Sequence, residues 1–363
     1  MSEIHIGFWE LHKNKIIALS IIAMIVASVG ATILIIKMQQ QKTQLMVIHA
    51  GSLTVPMDTF ATVWTALHPE YEVINKGFGS ATAIRQITEL GVEADLLASA
   101  DYTLIETMMM NEPIPGLGIN YSSWYIIFAR NEMGIAYVEA NNPPYLENLT
   151  SKQNFWWEIL NRTDVVFGRA DPYQDPCGYR TLMVWGLADR YYNISGTQNP
   201  QDINESFYAK DPLMGYSGEG ATVVGDKEVG LISALQAGEI DYLFIYKSIA
   251  VQHNLGFIEL DDHINLGNFS LESFYKTVWV HRISPLLPGK SSTDKQASTI
   301  QYGLTIPNNA PHLEDAINYV KMIIGCPGLL EELGQPPYYP AYASNVSALP
   351  TALQPYCVNY PYA

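Results

Sequence analysis

The chain has 363 residues and a formal net charge of -16 at pH 7, from 20 basic and 36 acidic side chains. Hydrophobic residues make up 48% of it and charged residues 15%, which excludes wholesale disorder and permits two lobes with sizeable cores. The acidic balance and the lack of Lys/Arg clusters argue against a nucleic-acid partner.

An uncharged and mostly apolar run extends from Ile16 to Ile36, between Lys15 and Lys37. About 21 such residues form a helix roughly 31 Å long, close to the thickness of the hydrocarbon core of a bilayer. The run predicts an uncleaved N-terminal transmembrane helix, with a cleaved signal peptide as the alternative. We therefore expect a single-pass cell-membrane protein with its binding domain outside the cytoplasm, and residues 1–44 as its anchor and tether.

Strand-like and helix-like segments alternate after this run. The predicted strands are Leu45–His49, Tyr71–Ile74 and Ala94–Ala98, and the predicted helices are Leu53–Leu67, Ser80–Ile87 and Asp101–Met110. This order predicts a parallel sheet with helices on both faces. Ligands of such sheets bind outside the carboxyl ends of the strands, where Ser52 and Ser80 lie.

A second α/β unit follows and contains a Gly-rich loop at Gly215–Gly225. Its predicted strands are Val165–Gly168 and Asp241–Tyr246, and its predicted helices are Cys177–Tyr191, Glu228–Gln236 and Lys247–His253. Segments that leave or rejoin the first unit are predicted at Trp124–Ala129, Met133–Val138, Tyr275–Val280 and Thr299–Ile306. An amphipathic helix at Pro311–Ile324 and an ordered surface strap from Gly334 complete the chain.

The segment order predicts an α/β fold of two lobes. Lobe 1 takes residues 45–135 and 275–363, and lobe 2 takes residues 136–274. A chain that leaves one lobe, builds another and returns forms a hinge with a cleft between the lobes.

Polar motifs lie where several predicted helices begin. Ser52 and Ser80 are each predicted as an N-cap, and simple capping is the plain interpretation of either one alone. Asp175 followed by Pro176 is a typical helix start, which brings the N–H of Cys177 towards the cleft. Helix starts expose unpaired N–H groups and a partial positive charge, so several of them in one cleft would suit a small anion.

Other residues of the second unit have a structural and a functional interpretation. Glu228 is well placed as a carboxylate near a helix start, or reaches into the cleft as a ligand. Tyr246 is an ordinary half-buried tyrosine, or donates a hydrogen bond to an oxyanion. Arg180 could pair with Asp175, contact a ligand or face solvent, and solvent or a structural pair is the expectation. A disulfide between Cys326 and Cys357 stays open, because its geometry cannot be derived from sequence.

Enzymatic chemistry has little support in the sequence. Ser52 lacks the glycine pattern of a nucleophile elbow, and Cys177 has no neighbouring His or Lys to activate it. No P-loop, dinucleotide fingerprint or zinc-protease motif occurs. We therefore expect a protein that is not an enzyme, with a membrane-anchored hydrolase that uses Ser52 or Cys177 as the remote alternative.

Longer strings of residues resemble the archaeal tungstate/molybdate-binding proteins that feed ABC importers. They lie between about residue 45 and about residue 340, at His49–Pro56, Gly79-Ser80, Ala94–Tyr102, Phe128–Met133, Asp175–Arg180, Gly238–Ser248 and Gly334–Pro337. The resemblance implies a two-lobe periplasmic-binding-protein-like fold of type II. It also implies a monomer that captures tungstate or molybdate in the cleft, uses no cofactor, and delivers the anion to an ABC permease.

The same resemblance implies a set of site residues. Lobe 1 would supply Ser52 and Ser80, and lobe 2 would supply Asp175, the backbone of Pro176 and Cys177, Glu228 and Tyr246. In this family the Asp and Glu carboxylates approach the metal centre and raise its coordination to six. A binder of sulfate or phosphate, and a sensor domain without a transporter, remain alternatives.

Overall fold

The computed structural model describes residues 23–28, 42–151, 155–194, 206–207, 209–210, 222–226, 228–280 and 294–361. Its strands are β1 (Thr43–Ala50), β2 (Tyr71–Phe78), β3 (Leu96–Ser99), β4 (Ile126–Arg130), β5 (Met133–Tyr137), β6 (Phe167–Ala170), β7 (Val223–Gly225), β8 (Tyr242–Tyr246), β9 (Gly256–Glu259), β10 (Trp279–Val280), β11 (Lys295–Gln296), β12 (Gln301–Thr305), β13 (Pro337–Ala343) and β14 (Cys357–Asn359).

The α-helices alternate with these strands along much of the chain. They span Thr54–Leu67, Ser80–Thr88, Tyr102–Ile105, Leu146–Thr150, Trp156–Leu160, Pro176–Ile194, Ile232–Ala237, Lys247–Gln252, Glu272–Tyr275, Leu313–Gly325 and Pro327–Glu332. Short 3-10 turns at Gly51–Leu53 and Glu228–Leu231 precede two of them, and a π-helical turn at Glu106–Met110 follows a third.

Seven strands form the first sheet, in the order β14-β13-β4-β12-β3-β1-β2. The β1, β2 and β3 strands are parallel, whereas β12 runs antiparallel to β3 and β4. Alternate side chains of β1 enter two different cores: Val47 packs in the core that holds Phe60, and Ile48 in the core that holds Ile84. Helices therefore cover both faces of this sheet, as the segment order predicts.

Five strands form the second sheet, in the order β7-β6-β8-β5-β9. The β6, β7 and β8 strands are parallel, and β5 runs antiparallel to both of its neighbours. An aromatic cluster packs against this sheet, where Trp185 contacts Phe167, Phe207 and Phe244. The α/β fold with two mixed sheets agrees with the predicted fold class.

The chain passes directly from the first sheet to the second between β4 and β5, through Asn131 and Glu132. It returns near Ile300, whose N–H bonds the carbonyl of Leu266 and whose carbonyl accepts from the N–H of Asn131. The predicted lobe boundaries at residues 135 and 275 stay a prediction.

The prediction of an N-terminal membrane-spanning helix, and with it of a single-pass membrane protein, is wrong for the part of the chain that the structure describes. Of the predicted span Ile16–Ile36, the structure describes residues 23–28, which are helical. No helix in the described ranges is both long and apolar enough to cross a membrane. The rest of the predicted span lies outside those ranges.

The structure also tests the predictions for the β10 strand, the C-terminal tail and the two C-terminal cysteines. The β10 strand pairs with β11 in a separate ladder, so it does not rejoin the first sheet as predicted. The tail supplies two strands, β13 and β14, to the first sheet instead of forming a surface strap. Cys326 and Cys357 are both free thiols, so no disulfide joins them. Most of the predicted Gly-rich loop lies outside the described residues.

Candidate functional site

Two sets of three parallel strands, one set from each sheet, end at one cleft. The carboxyl ends of β1, β2 and β3 lie on the side of the first sheet, and those of β6, β7 and β8 lie on the side of the second. Contact across the cleft is tight at Gly79, which follows β2: a Cβ added there would lie 2.3 Å from the carbonyl oxygen of Gln174 and 3.7 Å from the Cα of Asp175. The structure is therefore closed at this point.

Ser52 and Ser80 lie at this edge, but neither is the N-cap that the sequence suggests. Ser52 is inside the 3-10 turn that begins at Gly51, and Ser80 is the first residue of its helix, after Gly79. Neither hydroxyl caps its own helix. Instead, the phenol of Tyr302 donates to Ser52 Oγ at 3.1 Å, and the N–H of Ala100 donates to Ser80 Oγ at 3.0 Å.

The Asp175 motif has the predicted cap geometry. Its carboxylate Oδ1 accepts from the N–H of Cys177 at 2.8 Å, and the helix begins at Pro176, where the fixed φ of proline costs no hydrogen bond. Gly178 is required because a Cβ there would lie 2.5 Å from the backbone of Asp171 and Pro172. All of the residues from Asp175 to Gly178 are buried.

Glu228 and Tyr246 complete the predicted set. Glu228 begins a 3-10 turn that contacts the Gly51–Leu53 turn across the cleft, and its side chain is 1% exposed. Tyr246 ends β8 with its ring centroid 6.1 Å from that of Tyr302. Burial raises the pKa of the Tyr246 phenol well above its ordinary value, so the group stays protonated and can donate at neutral pH. The structure thus brings all seven predicted site residues to one cleft.

Sequence analysis missed a charged cluster beside this set. Asp101 follows β3, is buried, and accepts hydrogen bonds from the phenol of Tyr179 at 2.6 Å and from the ammonium group of Lys295. Burial alone would raise the pKa of Asp101, but the charges of Lys295 and Arg180 and these two bonds outweigh it and hold the pKa well below its usual range. The carboxylate is therefore ionised and joins the two sheets.

Arg180 also bridges the cleft, and it is 3% exposed. Its Nη1 donates to the carbonyl of Ala100 and to the hydroxyl of Tyr246, both at 2.8 Å. The alternative that this side chain faces solvent is wrong, and the structural pair is the outcome. The guanidinium places one buried positive charge near the carboxylate of Asp101.

The residues that the sequence missed differ in how far a local signal marks them. Asp101 follows a strand of the first sheet, as Ser52 and Ser80 do. The rule that ligands bind outside the carboxyl ends of such strands therefore marks Asp101 as a candidate as well. Lys295 and Tyr302 have no such signal, because they are separated from their partners by 194 and 250 positions.

The nucleophile chemistry of the hydrolase alternative does not fit the observed contacts. Burial raises the pKa of the Cys177 thiol well above its ordinary value, and the negative charges of Glu228 and Asp175 raise it further. A thiol without its anion is a poor nucleophile. The Nδ1 atom of His49 lies 2.8 Å from the carbonyl oxygen of Ala50, whereas the hydroxyl of Ser52 is bonded to Tyr302.

Comparisons with known proteins bear on this site. The profile of a family described as bacterial extracellular solute-binding protein matches residues 45–328. An uncharacterized solute-binding protein of Petrotoga mobilis is 39% identical over 313 residues, which are 86% of this chain and 89% of that one. The molybdate/tungstate-binding protein WtpA of Thermococcus kodakarensis is 36% identical over 296 residues, or 79% of each chain.

A solved structure, the periplasmic molybdate-binding protein of Azotobacter vinelandii, aligns with 80% of this chain and 98% of its own. Its identity is 11% and its TM-score 0.48, values too low to carry an argument about the ligand. The matches at 36–39% identity confirm the resemblance that the motifs indicate.

The Asp101 cluster generates a prediction for stability. Asp101→Asn leaves Lys295 and Arg180 without their buried counter-charge, so we expect the free energy of unfolding at pH 7 to fall by about 3 kcal/mol or more. Urea unfolding measures it. Asp164→Asn removes an exposed partner of Arg162 and is the matched control, for which we expect little change.

The pH dependence of this difference follows from the lowered pKa of Asp101. The charge of Asp101 stabilises the fold above the pKa of an aspartate in the unfolded chain, which is about 3.9. This contribution is lost as the pH falls towards the lower pKa that Asp101 has in the folded protein. The difference between the wild type and Asp101→Asn should be flat from about pH 5 to 7 and smaller near about pH 3. A difference that grows towards acid pH would contradict this assignment.

Proposed function

Because this chain belongs to the family of bacterial extracellular solute-binding proteins, we propose that it captures tungstate or molybdate in the cleft between its two sheets. An ABC permease then takes up the anion from the closed protein. The relative from Thermococcus kodakarensis, whose name gives these two anions, supports the choice of ligand. The anion is cargo, so the proposal needs no cofactor, and one chain supplies every site residue.

The observation that carries the proposal is the chemistry of the seven residues. Three protonated hydroxyls, of Ser52, Ser80 and Tyr246, lie in one cleft with the carboxylates of Asp175 and Glu228, and all five side chains are buried. The hydroxyls suit the oxygens of an oxyanion. The two carboxylates repel any dianion in the cleft. An anion can bind beside them only if its central atom attracts the carboxylate oxygens.

The size of that repulsion decides between ligand classes. Two unit charges about 4 Å apart at an effective dielectric constant of about 20 repel by about 4 kcal/mol. Tungsten and molybdenum offset this cost by accepting the carboxylate oxygens as two extra ligands, in six-fold coordination. Sulfur in sulfate and phosphorus in phosphate accept extra ligands far less readily. Asp175 and Glu228 thus favour the heavy oxyanions and disfavour their abundant competitors.

Closure is the second part of the proposal. The described cleft is shut, since Ser80 and Tyr246 are fully buried, so an anion enters only after the two sheets separate. Asn131, between β4 and β5, lies where the chain crosses and is the natural place for the hinge. The bound anion then stabilises the closed form, which the permease recognises.

Titration calorimetry with tungstate, molybdate, sulfate and phosphate tests the ligand. We expect the first two anions to bind more tightly than the last two. Glu228→Gln removes one carboxylate and should weaken tungstate binding by about 10- to 100-fold, as for a lost bond to a charged group. Glu259→Gln, on the exposed side of the salt bridge to Lys247, is the control and should bind normally.

Equal affinity for sulfate and tungstate would contradict the six-coordinate site. A gain of anion affinity in Glu228→Gln would favour the sulfate or phosphate alternative, because it would mean that the carboxylate only repels.

Gly79 generates a prediction for closure. Its φ of -61° and ψ of 144° are open to alanine, so Gly79→Ala meets no backbone strain of its own. The new Cβ meets the Gln174 carbonyl across the cleft. An overpacked contact of about 1–3 kcal/mol should weaken tungstate binding by about 5- to 150-fold.

Small-angle X-ray scattering of the same Gly79→Ala variant should show a smaller ligand-induced decrease in the radius of gyration than the wild type shows. Gly328→Ala, where a Cβ meets nothing within 4 Å, is the matched control and should close normally. Normal affinity and normal compaction in Gly79→Ala would show that this contact is not part of closure.

A further inference from the structure

Each of the three hydroxyls in the cleft already accepts one hydrogen bond from the protein. Ser52 accepts from the Tyr302 phenol, Ser80 accepts from the Ala100 N–H, and Tyr246 accepts from the Arg180 guanidinium. A hydroxyl carries one hydrogen and two lone pairs. Among the described residues, no protein group accepts the hydrogen of any of the three. Each of these hydrogens is therefore available to an acceptor that enters the cleft.

The bond to Ser52 is the last step of a longer relay that starts where the chain crosses between the sheets. Asn131 Nδ2 donates to the Tyr302 phenol oxygen at 3.1 Å and to Ser248 Oγ at 2.7 Å. Tyr302 in turn donates to Ser52. The side chains of Asn131, Tyr302 and Ser52 are all buried, so water does not compete for these bonds.

The direction of the relay is fixed by backbone groups. Asn131 Oδ1 accepts from the N–H groups of Glu132 at 3.0 Å and Ser248 at 3.3 Å. A backbone N–H can only donate, so the amide of Asn131 has one orientation, with its nitrogen towards Tyr302. The phenol oxygen is then occupied as an acceptor, and its hydrogen goes to Ser52.

We propose that Tyr302 is a positioning residue of the anion site, oriented by Asn131, and that it turns the hydroxyl of Ser52 into a donor to the bound oxyanion. The proposal rests on the proposed function of the cleft. Tyr302 does not touch the anion. It acts through Ser52, as Arg180 acts through Tyr246, and it links the crossing segment of the chain to the ligand.

A consequence for binding follows from this arrangement. A serine hydroxyl in a cleft can rotate between several partners, and the anion has to select the donating orientation. Because Tyr302 donates to its oxygen, the hydroxyl of Ser52 is oriented before the anion arrives. Binding therefore costs less conformational entropy. Cooperative polarisation along the relay strengthens the last bond as well.

A double-mutant cycle of tungstate affinity, measured by titration calorimetry, tests the relay. Tyr302→Phe removes the donor and should weaken binding about 3- to 10-fold, the range of one neutral hydrogen bond. Ser52→Ala should weaken binding more. The double variant should match Ser52→Ala within about twofold, because Tyr302 has nothing left to orient.

Tyr319→Phe is the matched control. Tyr319 is a buried tyrosine of the Leu313–Gly325 helix whose hydroxyl has no hydrogen-bond partner among the described residues. Its loss should leave the affinity unchanged. A structural role of Tyr302 would lower the melting temperature of the free protein and act equally in both Ser52 backgrounds, so the two effects on affinity would multiply. That result would overturn the proposal.

A second variant keeps the test open should Tyr302→Phe not fold. Incorporation of 3,5-difluorotyrosine at position 302 keeps the ring and hydroxyl, while fluorine makes the O–H a stronger donor. Affinity for tungstate should rise, and the rise should vanish in Ser52→Ala. Unchanged or weaker binding overturns the relay. A wild-type protein that binds none of the four anions contradicts the proposed function instead, so the two failures are distinguishable.

Discussion

Buried negative charge is the constraint on which the rest of this structure depends. Asp101, Asp175 and Glu228 all lie at the closed cleft and are at most 4% exposed. Removing a carboxylate from water costs several kcal/mol, so each one needs a compensating partner. For Asp101 that partner is the protein itself, through Lys295, Arg180 and Tyr179. For Asp175 and Glu228 the proposal assigns part of that compensation to the metal centre of the cargo.

The cleft therefore combines two kinds of contact with different purposes. In the closed form, the Asp101 cluster joins the two sheets through charges and hydrogen bonds of the protein alone. The hydroxyls of Ser52 and Tyr246 instead each accept a hydrogen bond from the protein, and the proposal assigns their own hydrogens to the anion. Contacts within the protein hold the two edges together in the closed form, and the hydroxyls and the carboxylates of Asp175 and Glu228 give the cleft its chemistry.

Local signals account for much of what the sequence predicted. Apolar runs and helix starts located most strands and helices, and the pairing of Asp175 with Pro176 marked a true helix start. Ser52 and Ser80 lie at the predicted edge of the sheet but are not N-caps, because Ser52 is the second residue of a 3-10 turn and Gly79 is the N-cap before Ser80. The length of the N-terminal apolar run predicted a spanning helix that the described residues do not contain. Contacts such as Asn131 to Tyr302, 171 positions apart, depend on strand order and have no local pattern.

Direct bonding of two carboxylates to the metal of the anion is the central claim. X-ray absorption at the tungsten edge, on the wild-type protein loaded with tungstate, measures the number and distances of the oxygens around tungsten. The account predicts six oxygens in a distorted octahedron, with two of them lost together in Asp175→Asn combined with Glu228→Gln. Four equal oxygens in a regular tetrahedron, unchanged in that double variant, would contradict it.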